Sequence, residues 1–180
     1  VRNGIGKVTE AEAAAISKDY DLAILKLKKP YPKKFSINSK DFVSPKAGDD
    51  VISIGYPGIG ITFEQPTITQ GIISKVFDDK LGIFLTTAAI NSGNSGGPIF
   101  NLNGKLVGVS FATLDKKKFL EEEGQIPSDM GYAIKSDMIK EVFAHKKGIP
   151  VNSVKYDKVQ IYEKMLPSIA LVVVDLGDKK

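Results

Sequence analysis

An octapeptide in the middle of the chain, Asn91-Ser-Gly-Asn-Ser-Gly-Gly-Pro98, has the composition of a nucleophile turn. Three glycines surround one serine, which predicts backbone conformations or close approaches that a Cβ atom would block. A hydroxyl held on such a turn, beside backbone N–H groups of Gly93 and Ser95 that point the same way, suits acyl transfer. The plainer interpretation is a glycine-rich hairpin turn whose serine bonds its own backbone.

A carboxylate stands at the head of an otherwise apolar run, Asp21-Leu-Ala-Ile-Leu25. No histidine precedes Asp21, because the one histidine of the chain is His145, which follows the serine. We expect His145 to be a surface imidazole near the C-terminal end of a helix.

Together these segments resemble the chymotrypsin-like serine proteases, specifically their HtrA/Deg branch. That branch usually has D-[IL]-A-[LVI]-[LI] around its aspartate and A-A-I-N-x-G-N-S-G-G-P-[LI] around its nucleophile, and Asp21–Leu25 and Ala88–Ile99 match both patterns. The resemblance spans about residues 13–147 and also includes the segments 54–57, 71–74, 102–109 and 131–134.

The resemblance implies an all-β fold: a chymotrypsin-like double β-barrel with an incomplete first barrel and a C-terminal helix. It makes Ser95 the nucleophile and Asp21 the residue that orients the base. It also implies an oxyanion hole at the turn formed by Gly93, Asn94 and Ser95, whose backbone amides would stabilise the developing negative charge.

The resemblance also implies where a substrate would bind. Ala89 falls at the base of the pocket for the residue before the cut, and Ser110-Phe111-Ala112 is where the family pairs substrate backbone as an added strand. No charge lies at these positions, so cleavage after small or aliphatic residues is expected rather than cleavage after Lys or Arg.

The general base is the missing part of this system. The family carries its histidine in a T-N-x-H-V motif before the aspartate, and this sequence has no such motif. We therefore expect residues 1–148 to be a trypsin-like protease domain without its His-bearing segment. The chain alone should be nearly inactive, because an unassisted serine hydroxyl is a weak nucleophile.

Residues 149–180 form a tail, and 160–174 resemble the opening strand of the same protease domain, where an E-K-x-x-P-S-V-V pattern precedes the first barrel. Three accounts fit: a piece of a tandem array, a circular permutation, or a degenerate protease that binds rather than cuts. A simple tail, helical over 159–166 and then extended, is a fourth. We expect 168–174 to form a strand of the first barrel, in this chain or in a neighbour.

An α/β-hydrolase is the rival catalytic interpretation, because Gly93-Asn-Ser-Gly-Gly97 also satisfies G-x-S-x-G. Its order of Ser, Asp, His would let His145 act. The elbow of that fold passes from a strand into a helix, however, whereas Ser95 is followed by Gly-Gly-Pro and a predicted hairpin. The alternating helices of a parallel sheet are absent as well.

The predicted elements fit a barrel. Short β-rich runs are bounded by Gly, Pro and Asn, and Asn103-Gly104 predicts a tight hairpin. Gly71 inside such a run indicates a bulge or a close approach. One amphipathic helix is predicted from Ser136, with Gly148 ending it.

Composition excludes several other classes of function. The 180 residues contain no Cys, which excludes thiolate zinc sites, iron–sulfur clusters and a Cys nucleophile, and one His excludes a His-rich metal centre. A single arginine, Arg2, among 25 basic residues argues against nucleic-acid recognition. No apolar run is long enough to span a membrane.

The expected partner is therefore a polypeptide substrate or a peptide ligand, with no metal and no cofactor. The resemblance leaves open a homo-oligomer or strand exchange through 168–174, and it implies a periplasmic or secreted location. The alternative function is a catalytically inactive pseudoprotease that acts as a peptide-binding or scaffold module.

Overall fold

The computed structural model describes residues 1–17, 19–31, 41–58, 65–78, 80–111, 130–143 and 156–174. His145, Ala112 and the predicted helix end at Gly148 lie outside these ranges. The elements found within them are β1 (Arg2–Asn3), β2 (Ala11–Ser17), β3 (Leu22–Leu27), β4 (Asp50–Gly55), β5 (Thr67–Val76), β6 (Ile83–Thr86), β7 (Pro98–Asn101), β8 (Leu106–Phe111), β9 (Gly131–Lys135), α1 (Ser136–Phe143), α2 (Lys158–Met165) and β10 (Ala170–Leu171).

Six antiparallel strands close into a barrel in the order β4-β5-β6-β9-β8-β7. The remaining strands form two small sheets, β2 with β3 and β1 with β10. The described part of the chain thus contains one closed barrel and two separate two-stranded sheets. The all-β double-barrel fold with an incomplete first barrel, expected from the sequence, is confirmed.

Strand β4 is buried on both of its faces. Its side chains alternate between faces, yet Val51, Ile52 and Ile54 are all fully buried. Val51 packs inside the barrel in an inner cluster to which all six barrel strands or their extensions contribute: Val51, Ile73, Phe84, Ala88, Ile99, Val107 and Ala133. Ile52 and Ile54 face the other way, so a second layer must cover them.

That second layer includes the C-terminal segment. The outer cluster consists of Ile52, Ile54, Tyr56, Phe100, Leu106, Ile139, Ile161, Met165 and Ile169. Ile161 and Met165 lie one turn apart on α2, which places both on one helix face. Three residues of the C-terminal segment, Ile161, Met165 and Ile169, are therefore part of the core.

Two further contacts attach the C-terminal segment to the start of the chain. Arg2 and Asn3 of β1 pair antiparallel with Leu171 and Ala170 of β10. Asn3 is fully buried, and its side-chain amide donates to the carbonyl of Pro167 at 2.9 Å. The strand expected within 168–174 is thus present over Ala170–Leu171, and its partner strand belongs to the same chain.

Two sequence expectations about turns can be compared with the structure. Asn103 and Gly104 do join β7 to β8, but through a four-residue connection, Leu102–Lys105, in which Asn101 Oδ1 accepts from the amides of Asn103 and Lys105. A Cβ on Gly71 would lie 2.1 Å from the amide nitrogen of Ala88, which confirms the predicted close approach. No helix among the described residues is both long and apolar enough to cross a bilayer.

Candidate active site

The Ser95 turn connects the segment after β6 to the first residue of β7. Local hydrogen bonds shape it: the amide of Asn94 donates to Asn91 O, and the amide of Gly97 donates to Asn94 O, both at 2.9 Å. Ser95 is exposed at the top of this turn, whereas Asn94 is buried. The turn therefore presents the hydroxyl-bearing residue to solvent while its neighbour anchors it in the protein.

Gly93 is a position in the turn where no other residue fits without a shift of the backbone around it. Its φ is +96°, and an added Cβ would lie 2.4 Å from the carbonyl oxygen of Tyr56 and 2.7 Å from the amide nitrogen of Gly58. The amide of Gly58 in turn donates to Ser92 O at 2.8 Å. This close backbone contact confirms the expectation that the glycines surround Ser95 for steric and conformational reasons.

Ser110 is a structural part of this turn. Its side chain is buried, and its hydroxyl lies 2.5 Å from Asn94 O and 3.0 Å from Gly97 O. Its amide donates to Gly97 O, and its carbonyl accepts from the amide of Gly96, both at 2.8 Å. Each polar group of Ser110 is thus bonded to the turn.

The hydrogen-bonding groups of Ser110 are thus used within the protein, because β8 lies against the nucleophile turn. The expectation that Ser110-Phe111-Ala112 pairs with substrate backbone stays a prediction. Phe111, the last residue of β8, is half-buried and packs against Tyr132, with ring centroids 6.1 Å apart. Ala112 lies outside the described residues.

The three expected oxyanion donors are not equivalent. The amide of Asn94 is engaged with Asn91 O and so cannot turn toward a ligand. Within the described residues, the amide of Gly93 makes no backbone hydrogen bond. Of these two amides, Gly93 is thus the one without a backbone partner in the described part of the chain, and the oxyanion hole at Gly93, Asn94 and Ser95 stays a prediction.

Asp21 is exposed and directly precedes β3. Its φ of +48° is the one positive value for a non-glycine residue in the described part of the chain. The next residue, Leu22, packs against the outer cluster, which also contains Tyr56 from the surroundings of Ser95. Asp21 and the Ser95 turn are thus fixed to the same cluster, but Asp21 does not line the cavity at Ser95.

That cavity has a volume of about 480 Å³. Two parts of its wall match the sequence motifs. They are the turn 92–98 and the end of β4 with the residues after it, Gly55, Tyr56 and Gly58. The third part is Ile169–Val172, which the sequence did not predict as part of the site. The apolar run and the E-K-x-x-P-S pattern indicated a strand there, but no local signal places that strand beside Ser95.

The lining of this cavity carries no charged side chain among the described residues. Tyr56 is its one ionisable member, and burial raises the pKa of its phenol, an effect that Arg2 opposes. The cavity is consequently neutral near pH 7, and it favours an uncharged group of a ligand over a charged one.

Ala89 lies on the segment that leads into the turn. It is exposed, and its carbonyl oxygen accepts from the Thr69 hydroxyl at 3.0 Å, which ties the segment to β5. No histidine belongs to the described residues. Among them, no group of three or more His, Asp or Glu side chains could hold a metal ion either.

Comparison with known proteins gives a consistent result. Residues 1–109 match the model of the trypsin-like peptidase domain family. The chain is 39% identical over 138 residues to a "Probable periplasmic serine endoprotease DegP-like" of Buchnera aphidicola, an alignment that covers 71% of this chain and 27% of that protein.

Two other relatives agree with it. The serine protease Do-like HtrA of Bacillus subtilis is 33% identical over 146 residues, which cover 74% of this chain and 30% of the relative. The periplasmic serine endoprotease DegP of Escherichia coli K12 is 34% identical over 138 residues, which cover 72% and 26%. The chain thus spans less than a third of the length of these relatives.

Proposed function

The chain belongs to the trypsin-like peptidase domain family, in its HtrA/DegP branch, and from that premise we propose that it is the core of a serine endopeptidase with Ser95 as nucleophile. The observation that carries the proposal is the Gly93 turn, whose positive φ and backbone contacts hold an exposed serine beside an amide that makes no backbone bond within the described residues.

The proposed reaction is hydrolysis of a peptide bond through an acyl-enzyme. Ser95 Oγ attacks the carbonyl carbon while its proton passes to a base, and the oxyanion that forms accepts hydrogen bonds from the amides of Gly93 and Ser95. The base then protonates the leaving amine as the C–N bond breaks. Water attacks the acyl-enzyme in the same way, which releases the acid and restores the serine.

In this proposal the base is a histidine oriented by Asp21. His145, the one histidine of the chain, lies outside the described residues and follows Ser95 rather than preceding Asp21. We infer that a His-bearing segment not included in residues 1–180, or another chain, supplies the imidazole. For the substrate, Ala89 and Phe111 are the proposed contacts, while Ser110 acts by holding the turn.

A second candidate function is a peptide-binding pseudoprotease. The position of the one histidine favours it, because an Asp-Ser pair without a base can bind a polypeptide but cannot cut it efficiently. In that case the cavity beside Ser95 would hold a peptide residue, and the nucleophile turn would be retained only for its shape.

Labelling with a fluorophosphonate in the presence of imidazole separates the two candidates. Free imidazole is a general base that a cavity of about 480 Å³ beside Ser95 can admit. For a peptidase core, the rate of Ser95 labelling should rise with imidazole concentration, and it should vanish in Ser95→Ala. Ser44→Ala removes an exposed hydroxyl outside the cavity lining and serves as the matched control, because it should label normally.

The opposite result is equally informative. A chain that is folded by circular dichroism but shows no labelling at any imidazole concentration contradicts the peptidase proposal and supports the binding module. Equal labelling of the unsubstituted chain and Ser95→Ala would place the reactive group elsewhere and also contradict the proposal.

A further inference from the structure

The sequence contains two Asn-Gly dipeptides, Asn3-Gly4 and Asn103-Gly104, which the fold places in opposite environments. Asparagine is a chemically labile residue. A following glycine favours its loss of ammonia, because no Cβ obstructs the approach of the glycine nitrogen to the asparagine side chain. The two dipeptides share this chemistry, so the structure around each one decides how fast it reacts in the folded protein.

The reacting groups of Asn3-Gly4 are buried and hydrogen-bonded. The side-chain amide of Asn3 donates to Pro167 O at 2.9 Å, and its Oδ1 accepts from the amide of Lys7 at 2.8 Å. The amide of Gly4 donates to two carbonyls of the C-terminal segment, at 3.0 and 2.9 Å. The Gly4 nitrogen can reach the side chain of Asn3 only if these bonds and the β1–β10 pair open together.

Asn103-Gly104 lies instead in the connection between β7 and β8, and Asn103 is exposed. Asn101 closes this turn. Its carbonyl oxygen accepts from the amide of Gly104 at 2.9 Å, and its Oδ1 accepts from the amides of Asn103 and Lys105 at 3.0 Å each. Opening one exposed turn costs much less free energy than separating a buried strand pair. The Gly104 nitrogen is therefore the one that becomes free to react.

We propose that Asn103 is a deamidation site of the folded protein, and that the fold protects Asn3 from the same reaction. The Gly104 nitrogen attacks Cγ of Asn103, and its proton passes through water to Nδ2 as the Cγ–Nδ2 bond breaks. Ammonia leaves, a succinimide ring forms, and water opens the ring to aspartate or isoaspartate without any redox change. The product lies between β7, which directly follows the Ser95 turn, and β8, which is hydrogen-bonded to it.

This inference does not depend on the proposed peptidase activity, and incubation of the full chain at mildly alkaline pH tests it. Mass spectrometry of the digested protein measures deamidation at each asparagine and distinguishes isoaspartate from aspartate. In the native protein, Asn103 should react at least about tenfold faster than Asn3. In urea the two rates should agree within a few-fold, because both dipeptides are then free. Asn103→Gln should abolish the signal at residue 103, since glutamine does not form the five-membered ring.

Asn101→Ala tests whether the turn controls the reaction. It removes the Oδ1 atom that accepts from two backbone amides, so deamidation of Asn103 should be roughly fivefold faster. Asn3 is the matched control within the same molecule, because it lies far along the chain from the altered turn and its rate should stay the same.

Four results would overturn the proposal. Equal rates at Asn3 and Asn103 in the native protein would show that the fold does not discriminate between them. Absence of reaction at Asn103 in the native protein, over a time that converts half of the chain in urea, would show that the turn is protected as well. In Asn101→Ala, an unchanged rate at Asn103, or an equal acceleration at both asparagines, would reject local opening of the turn as the controlling step.

Discussion

The hydroxyl of Ser110 lies 2.5 Å from the carbonyl oxygen of Asn94, so a residue of β8 holds the nucleophile turn from behind. The same hydroxyl is within 3.0 Å of Gly97 O, and the backbone of Ser110 is bonded to Gly96 and Gly97. Hydrogen bonds thus link β8 of the barrel to the turn that carries the exposed Ser95. The position of Ser95 depends on the packing of β8.

Ser110→Ala should weaken this connection without changing the fold. The loss of one buried hydroxyl that bonds two carbonyls should lower the free energy of unfolding by roughly 1 to 2 kcal/mol. It should also slow the imidazole-dependent labelling of Ser95. Denaturant unfolding and labelling rates measure the two effects. Ser44→Ala, an exposed serine away from the turn, is the control, and equal behaviour of the two variants would contradict a positioning role.

Gly93→Ala should lower the free energy of unfolding by more than the conformational cost of placing an alanine at a positive φ. Gly48 has a similar φ, +92°, but nothing lies within 4 Å of a Cβ added there, so Gly48→Ala measures the conformational cost, about 1 to 2 kcal/mol. Gly93→Ala adds a 2.4 Å contact with Tyr56 O. Similar unfolding free energies for the two variants would show that the contact with the Tyr56 loop relaxes freely.

Ile161→Ala tests whether α2 belongs to the core. Ile161 is fully buried in the outer cluster, and its truncation should cost about 2 to 5 kcal/mol. Val159, on the same helix, is 64% exposed, and Val159→Ala should change stability little. Thermal or denaturant unfolding distinguishes them. A negligible loss in Ile161→Ala would mean that the C-terminal segment is not required for the packed barrel.

Tyrosine ionisation should make stability fall at high pH. Burial raises the pKa values of Tyr31, Tyr56 and Tyr162 above the ordinary value of about 10. The unfolded chain therefore releases these protons at lower pH than the native protein does. Their contribution is fully present below pH of about 10 and is lost as the pH rises through the native pKa values. Unfolding free energies between neutral and alkaline pH measure the loss.

Near-ultraviolet absorbance gives an independent check on the same groups. Tyr31, Tyr56 and Tyr162 should titrate at higher pH in the native protein than in denaturant. Tyr56→Phe should remove one late step without the loss of a hydrogen bond in the described part of the chain, where the buried Tyr56 hydroxyl has no partner. A single native transition at the denatured position would contradict the prediction.

Local chemistry explains which parts of the fold could be predicted from the sequence. Gly93 and Gly71 are informative because their neighbours leave no room for a Cβ, and Asp21 and Ser95 lie in long motifs. The positive φ of Gly104 likewise reflects the predicted turn between β7 and β8. These features depend on a few consecutive residues.

The remaining features depend on contacts between distant segments. Ser110 is a small polar residue in an apolar strand, and nothing local distinguishes a bond to Asn94 from a bond to a substrate. Val172 belongs to an apolar run that predicts a strand, but its place beside Ser95 follows from the pairing of β10 with β1. The burial of Ile161 depends in the same way on the outer face of β4.

The bond from Asn3 to Pro167 spans 164 residues and has a consequence for how the protein acquires its shape. Closing so long a loop is entropically unfavourable until intervening structure brings its ends together, so we expect the β1–β10 pair to form late, after the six-stranded barrel. During synthesis on the ribosome, β1 has no partner strand until Ala170 and Leu171 of β10 have been added to the chain. The wall of the Ser95 cavity would then be the last part of the site to assemble.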